Sequence, residues 1–117
     1  MAILLHGTTR YRAEKIAAEG PAEAVLGEDG FSTYLASGPF FFGLPEDYAC
    51  GKAALFDNEG GGAIIEIDVP DPIIQLAVDE VFPLEQGLIQ FNKGKGLEEL
   101  LAAWPGLPKN IRLVDCP

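Results

Sequence analysis

A chain of 117 residues with 48 % hydrophobic content makes one domain, residues 1–117, with apolar material for a single core. Its 18 acidic residues outweigh 8 basic ones, and the formal net charge of -10 repels phosphate backbones and disfavours a nucleic-acid partner. Cys50 and Cys116 make no disulfide framework, one His without a C-x-x-C pair makes no zinc site, and no apolar run approaches the ~20 residues that cross a bilayer.

Ala2 to Leu5 is too short for a signal-peptide core. The expectation is a cytoplasmic protein, with export by a route that reads no cleavable signal left open. The same residues read as a short buried strand ending at His6. Thr8 or Thr9 caps a following helix, in which Ala13, Ile16 and Ala17 share a face and which Gly20-Pro21 stops. Ala22 to Gly30 is acidic and reads as a surface loop. Phe31 to Ala36 has the aromatic and β-branched content of a second strand. Phe40-Phe-Phe42 suits either core filling or a surface loop.

A helix begins near Pro45, where Glu46 and Asp47 suit the positive end of its dipole. Asp57 to Gly62 is a turn, and Ala63 to Val69 is the clearest strand, ending before Pro70. Further strands are expected over Val78 to Phe82 and Leu88 to Phe91. Leu97, Leu100, Leu101 and Trp104 mark a late amphipathic helix, and Ile111 to Val114 a last strand. Strands outnumber helices and are not regularly interleaved with them, which favours α+β over a doubly wound α/β fold.

Three stretches carry candidate chemistry. His6-Gly7-Thr8 stands at a strand end, where the imidazole can hydrogen-bond a sugar hydroxyl and the Gly7 backbone lies open to a planar carboxamide; a structural role for His6 is the competing reading. Tyr34 on a strand and Tyr48 on the helix behind it can sandwich a flat ring, or serve as core aromatics. Glu80, directly ahead of Val81-Phe82-Pro83, reads as a carboxylate on the start of a strand. Asp79 would then face the other way, by the two-residue period of a strand. Glu85 is a rival, although Gln86-Gly87 after it reads as a turn.

Together these stretches resemble the ADP-ribosyltransferase family. His6-Gly-Thr8 with Ala13, Ile16 and Gly20 is similar to its opening motif, Tyr34-Leu-Ala-Ser with Tyr48-Ala to its second, and Ile64 to Val69 followed by Glu80-Val-Phe-Pro to its third. Their order resembles the His-Tyr-Glu branch typified by diphtheria toxin and poly-ADP-ribose polymerase, over about Leu4 to Ile89. The arginine-specific branch would want an Arg at His6, and a Glu or Gln where Val78 stands.

The resemblance implies a compact fold of two packed, mainly antiparallel sheets with a few short helices around an NAD cleft. It implies NAD as substrate without a metal, held by His6, Gly7, Thr8, Tyr34 and Tyr48, with Glu80, Tyr34 and His6 as catalytic residues. His6 would bind the adenosine-side ribose and Gly7 the nicotinamide amide, while Tyr34 and Tyr48 stack on the nicotinamide ring. Glu80 would bond the nicotinamide ribose and stabilise positive charge as the glycosidic bond breaks, where a fixed carboxylate helps most. The activity implied is mono-ADP-ribosyl transfer to a protein acceptor. RNA 2′-phosphotransferase chemistry, for which only Arg10 and Arg12 supply nearby charge, NAD hydrolysis, and a silent NAD- or ADP-ribose-binding module are the alternatives.

Overall fold

The computed structural model describes residues 2–22, 30–40, 43–80 and 87–117. Along the chain run β1 (Ala2–Thr9), α1 (Arg10–Glu19), β2 (Phe31–Leu35), α2 (Pro45–Leu55), β3 (Gly62–Val69), α3 (Asp71–Glu80), β4 (Leu88–Phe91), α4 (Lys95–Ala103) and β5 (Lys109–Val114), with a 3-10 turn at Trp104–Gly106. Most of the acidic 22–30 segment, Phe41, Phe42 and the Val81 to Gln86 stretch with Glu85 lie outside the described residues.

The strands form one antiparallel sheet in the order β4-β2-β1-β3-β5, which makes the fold α+β. The two packed sheets expected from the resemblance are therefore corrected to one among the described residues. The reason lies in β1, which pairs along both its edges and so joins every described strand into a single layer, leaving helices to cover both faces.

Side-chain alternation divides the core in two. On one face Leu4, Phe31, Ile65, Ile67 and Phe91 pack against Ala13 and Ile16 of α1, Ile73 and Ala77 of α3, and Leu97 and Leu100 of α4. On the other face Leu5 and Ile64 meet Ala49 of α2, with Val114 packed beside them. The burial of β3 records both layers. Ala63, Ile64 and Ile65 are all buried, whereas Glu66 and Asp68 alternate with buried Ile67 and Val69. The continuous apolar run thus belongs where helices cover both faces of the sheet.

Of the two candidate caps for α1, Thr9 is the one used, and its hydroxyl accepts from the Arg12 N–H at 3.2 Å. The helix stops at Gly20, whose φ of 91° a side chain would disfavour. The strand expected from Val78 is corrected to the C-terminal part of α3. Pro72 suits a first helical turn, and the buried Ile73 and Ala77 recur at a spacing of one turn, with Ile74 and Val78 packed alongside.

The cysteines are corrected as well. Cys50 on α2 is bonded to Cys116 beyond β5 across 66 residues of sequence. Spacing alone could not reveal this contact, because it depends on β5 returning beside β3 under α2.

Candidate functional site

The seam between β1 and β2 is short. Their ladder pairs Leu4 with Leu35 and Leu5 with Tyr34, whereas the β1–β3 ladder runs from Ala2–Val69 to Thr9–Gly62. Beyond Leu5 the two strands therefore form an opening, with His6 and Gly7 on one lip and Ser32 and Thr33 on the other.

Backbone alternation decides what the lip presents. The Ala36 N–H donates to the Ile3 carbonyl at 3.0 Å, so Ile3 turns its peptide groups toward β2. Residues two and four further on do the same in an extended strand. Gly7 thus aims its N–H and C=O at the β2 side, past the end of that ladder. Glycine is required there for a separate reason, since a Cβ at Gly7 would run into the Pro45 carbonyl at the start of α2.

His6 spans the opening. Its Nδ1 lies 2.7 Å from the Ser32 carbonyl oxygen, and its ring sits 4.5 Å from that of Phe31 between centroids. A carbonyl can only accept, so Nδ1 carries the proton and donates. Burial lowers the pKa to about 4; the Ser32 bond opposes this, and the charge of Lys52 adds a smaller push downward. The ring is neutral at pH 7, and Nε2 is left with a lone pair. At Nε2 the ring can therefore accept a hydrogen bond from a hydroxyl.

Tyr34 and Tyr48 meet on the α2 side of the sheet. Their centroids are 5.5 Å apart with planes inclined by 29°. Tyr34 is buried and Tyr48 is 41 % exposed, so Tyr48 forms the outer member. Burial raises the pKa of the Tyr34 phenol, and its hydrogen bond to Tyr48 raises it further. A flat ring held between two others needs planes ~7 Å apart, twice a carbon–carbon contact. The pair is closed at its present spacing, and an inserted ring would have to push Tyr48 outward.

Glu80 stands apart from this group. It ends α3, and its carboxylate accepts from the Lys95 N–H at 2.8 Å and from the Gly96 N–H. Gly94, the residue before α4, has no side chain to cap the helix, and Glu80 supplies that cap from 15 residues away. α3 packs on the Phe31 face, whereas Tyr34 and Tyr48 lie on the other. Thr8 is buried on the same face as His6. The structure thus groups Gly7, Tyr34 and Tyr48 on the α2 face, sets His6 and Thr8 on the Phe31 face beside the same opening, and leaves Glu80 holding a helix end.

Two features went unread in the sequence. The Ser32 carbonyl, which orients His6, is a backbone group that no residue pattern announces. Gln90 lies opposite Ser32 on β4, on the face that carries Tyr34, and its amide donates to Asn92 Oδ1 at 3.0 Å. The alternation Leu88, Ile89, Gln90, Phe91 was the available signal for it. No group of three or more metal-ligating side chains occurs among the described residues, nor a helix long and apolar enough to cross a membrane. No protein-family model matches the chain, and neither a curated protein nor a solved structure is significantly similar to it.

Proposed function

We propose that the opening between β1 and β2 binds NAD and that the protein is an NAD-dependent mono-ADP-ribosyltransferase acting on a protein acceptor. The observation that carries this reading is the peptide of Gly7, aimed past the end of the β1–β2 ladder between His6 and the Tyr34–Tyr48 pair. An extended residue presents an N–H and a C=O on one side, the donor and acceptor that a primary carboxamide such as that of nicotinamide needs. Tyr34 offers the nicotinamide ring a buried stacking face, and Tyr48 swings outward to cover it. The neutral His6 accepts at Nε2 from a ribose hydroxyl. As the glycosidic bond breaks, nicotinamide leaves with the bonding pair and the electron-poor ribose is taken by the acceptor's nucleophile.

A second reading is favoured by Glu80. Its carboxylate is engaged by two backbone N–H groups of α4, which suits a domain that binds NAD or ADP-ribose without transferring it.

Incubation with NAD, with free nicotinamide followed over time, tests both. Transfer predicts nicotinamide release that Tyr34→Ala abolishes. Binding without release supports the silent module. The proposal fails if NAD neither binds nor is cleaved.

A further inference from the structure

Helix α2 lies close on β1 and β3, but few apolar side chains are buried beneath it. Its apolar contact is the small cluster of Leu5, Ala49 and Ile64 with Val114, and Leu44 before it makes no side-chain cap. It nests closely only because Gly7 and Gly62 lack side chains beneath Pro45 and Ala49. A helix of 11 residues with a glycine inside is marginal without such support. At the far end, the Arg12 guanidinium lies over the Phe56 ring at 3.9 Å. The Cys50–Cys116 bond holds the middle of the helix, two residues beyond Tyr48.

The larger core, formed on the other face by α1, α3 and α4, makes no use of α2. Loosening α2 therefore leaves most of the fold in place. Cys116 is exposed and Cys50 half-buried, so a dithiol can reach the bond.

We propose that the Cys50–Cys116 disulfide is a redox-sensitive tether that fixes α2 as the Tyr48 wall of the NAD site, and that its reduction frees the N-terminal turns of α2 and weakens ligand binding there. The binding half of this proposal rests on the NAD reading above. The reductant is a dithiol. One of its thiolates attacks a sulfur of the bond and releases the other cysteine, and its second thiol resolves the mixed disulfide. Cys50 and Cys116 each gain a hydrogen, while the reductant is oxidised to its own disulfide. Such a bond forms in an oxidising compartment and is lost in a reducing one. Ligand binding to the reduced protein must also order the helix, and that cost lowers affinity.

The test is amide hydrogen exchange and NAD titration on the oxidised protein, the dithiol-reduced protein and the Cys116→Ser variant. Reduction should cut the protection of amides 46–52 by about tenfold or more beyond any fall that they share with β3. The dissociation constant for NAD should rise by about fivefold or more and recover on reoxidation. Unchanged α2 protection overturns the tether, and so does a parallel loss across β3, which would make the disulfide a staple for the whole fold. Loosening without any change in affinity overturns the link to the site. Should the oxidised protein bind no NAD, the functional reading and the binding half fall, and the exchange result still decides the tether.

Discussion

The imidazole of His6 donates across the opening between β1 and β2 to the Ser32 carbonyl at 2.7 Å, where the ladder between those strands has already ended at Leu5–Tyr34. One side chain thereby replaces a missing rung of the sheet. It does so in the neutral state, with burial holding its pKa near 4 against an ordinary value of 6.5.

That contrast makes stability depend on pH. Between about pH 6.5 and 4 the unfolded chain binds a proton at His6 that the folded protein does not, so stability is full above the unfolded pKa and falls as the pH drops toward 4. The expected loss is about 1–3 kcal/mol. Urea titrations at pH 7, 5.5 and 4 would measure it, and His6→Gln should flatten the dependence over that range. An equally steep fall in His6→Gln would assign it to other groups.

Reducing the disulfide should lower global stability by about 2–4 kcal/mol, as expected for a closed loop of this length. Bond and loop are identified by Cys50 and Cys116, 66 residues apart. Thermal melts with and without a dithiol would check the magnitude. A change below about 0.5 kcal/mol would mean that the reduced chain keeps the two segments together unaided.

Glu80 supports a prediction that separates its two candidate roles. Glu80→Ala removes the acceptor for the Lys95 and Gly96 N–H groups and should cost about 0.5–2 kcal/mol, the usual range for a lost helix cap. Glu80→Gln keeps one acceptor oxygen and should cost less. If Glu80 acts only as a cap, nicotinamide release per folded molecule will match the wild type in both variants. A catalytic role requires both to lose release, Glu80→Gln included, even when fully folded.

The sequence carried most of the strands and the Tyr34–Tyr48 pairing, because alternation in Ala63 to Val69 and aromatic content in Phe31 to Leu35 follow directly from which face each residue buries. No helix is read over α3, since Val78 ahead of Val81 and Phe82 looks β-prone, whereas the helical spacing of Ile73 and Ala77 is too short a signal to compete. Glu80 is placed on a strand by the same reading. The opening beside His6 was legible only through its residue types. Its geometry depends on where one ladder stops while another continues, a property of the assembled sheet rather than of any segment. The Cys50–Cys116 bond depends likewise on which strand β5 joins.

Three glycines around α2 should respond to alanine in opposite directions. At Gly7 a methyl group would strike the Pro45 carbonyl and stand 3.1 Å from the Ala49 nitrogen, both backbone atoms that cannot rotate away. Gly7→Ala must lift the start of α2 from the sheet and should cost about 1–3 kcal/mol, the range for overpacking. At Gly62 the methyl would lie 3.0 Å from Cys116 Sγ and 3.2 Å from Ala49 C and O, a milder conflict with a smaller expected loss. Gly51, inside α2, has nothing within 4 Å of a Cβ, so Gly51→Ala should stabilise the protein by about 0.5–1 kcal/mol through helix propensity alone. Chemical denaturation of the three variants gives the order directly. Gly7→Ala should also part the Tyr34–Tyr48 rings, seen as a fall of the Tyr34 phenol pKa toward its ordinary value of 10.0. A stable Gly7→Ala protein with an undisturbed tyrosine pair would show that α2 is not seated on β1 through Gly7.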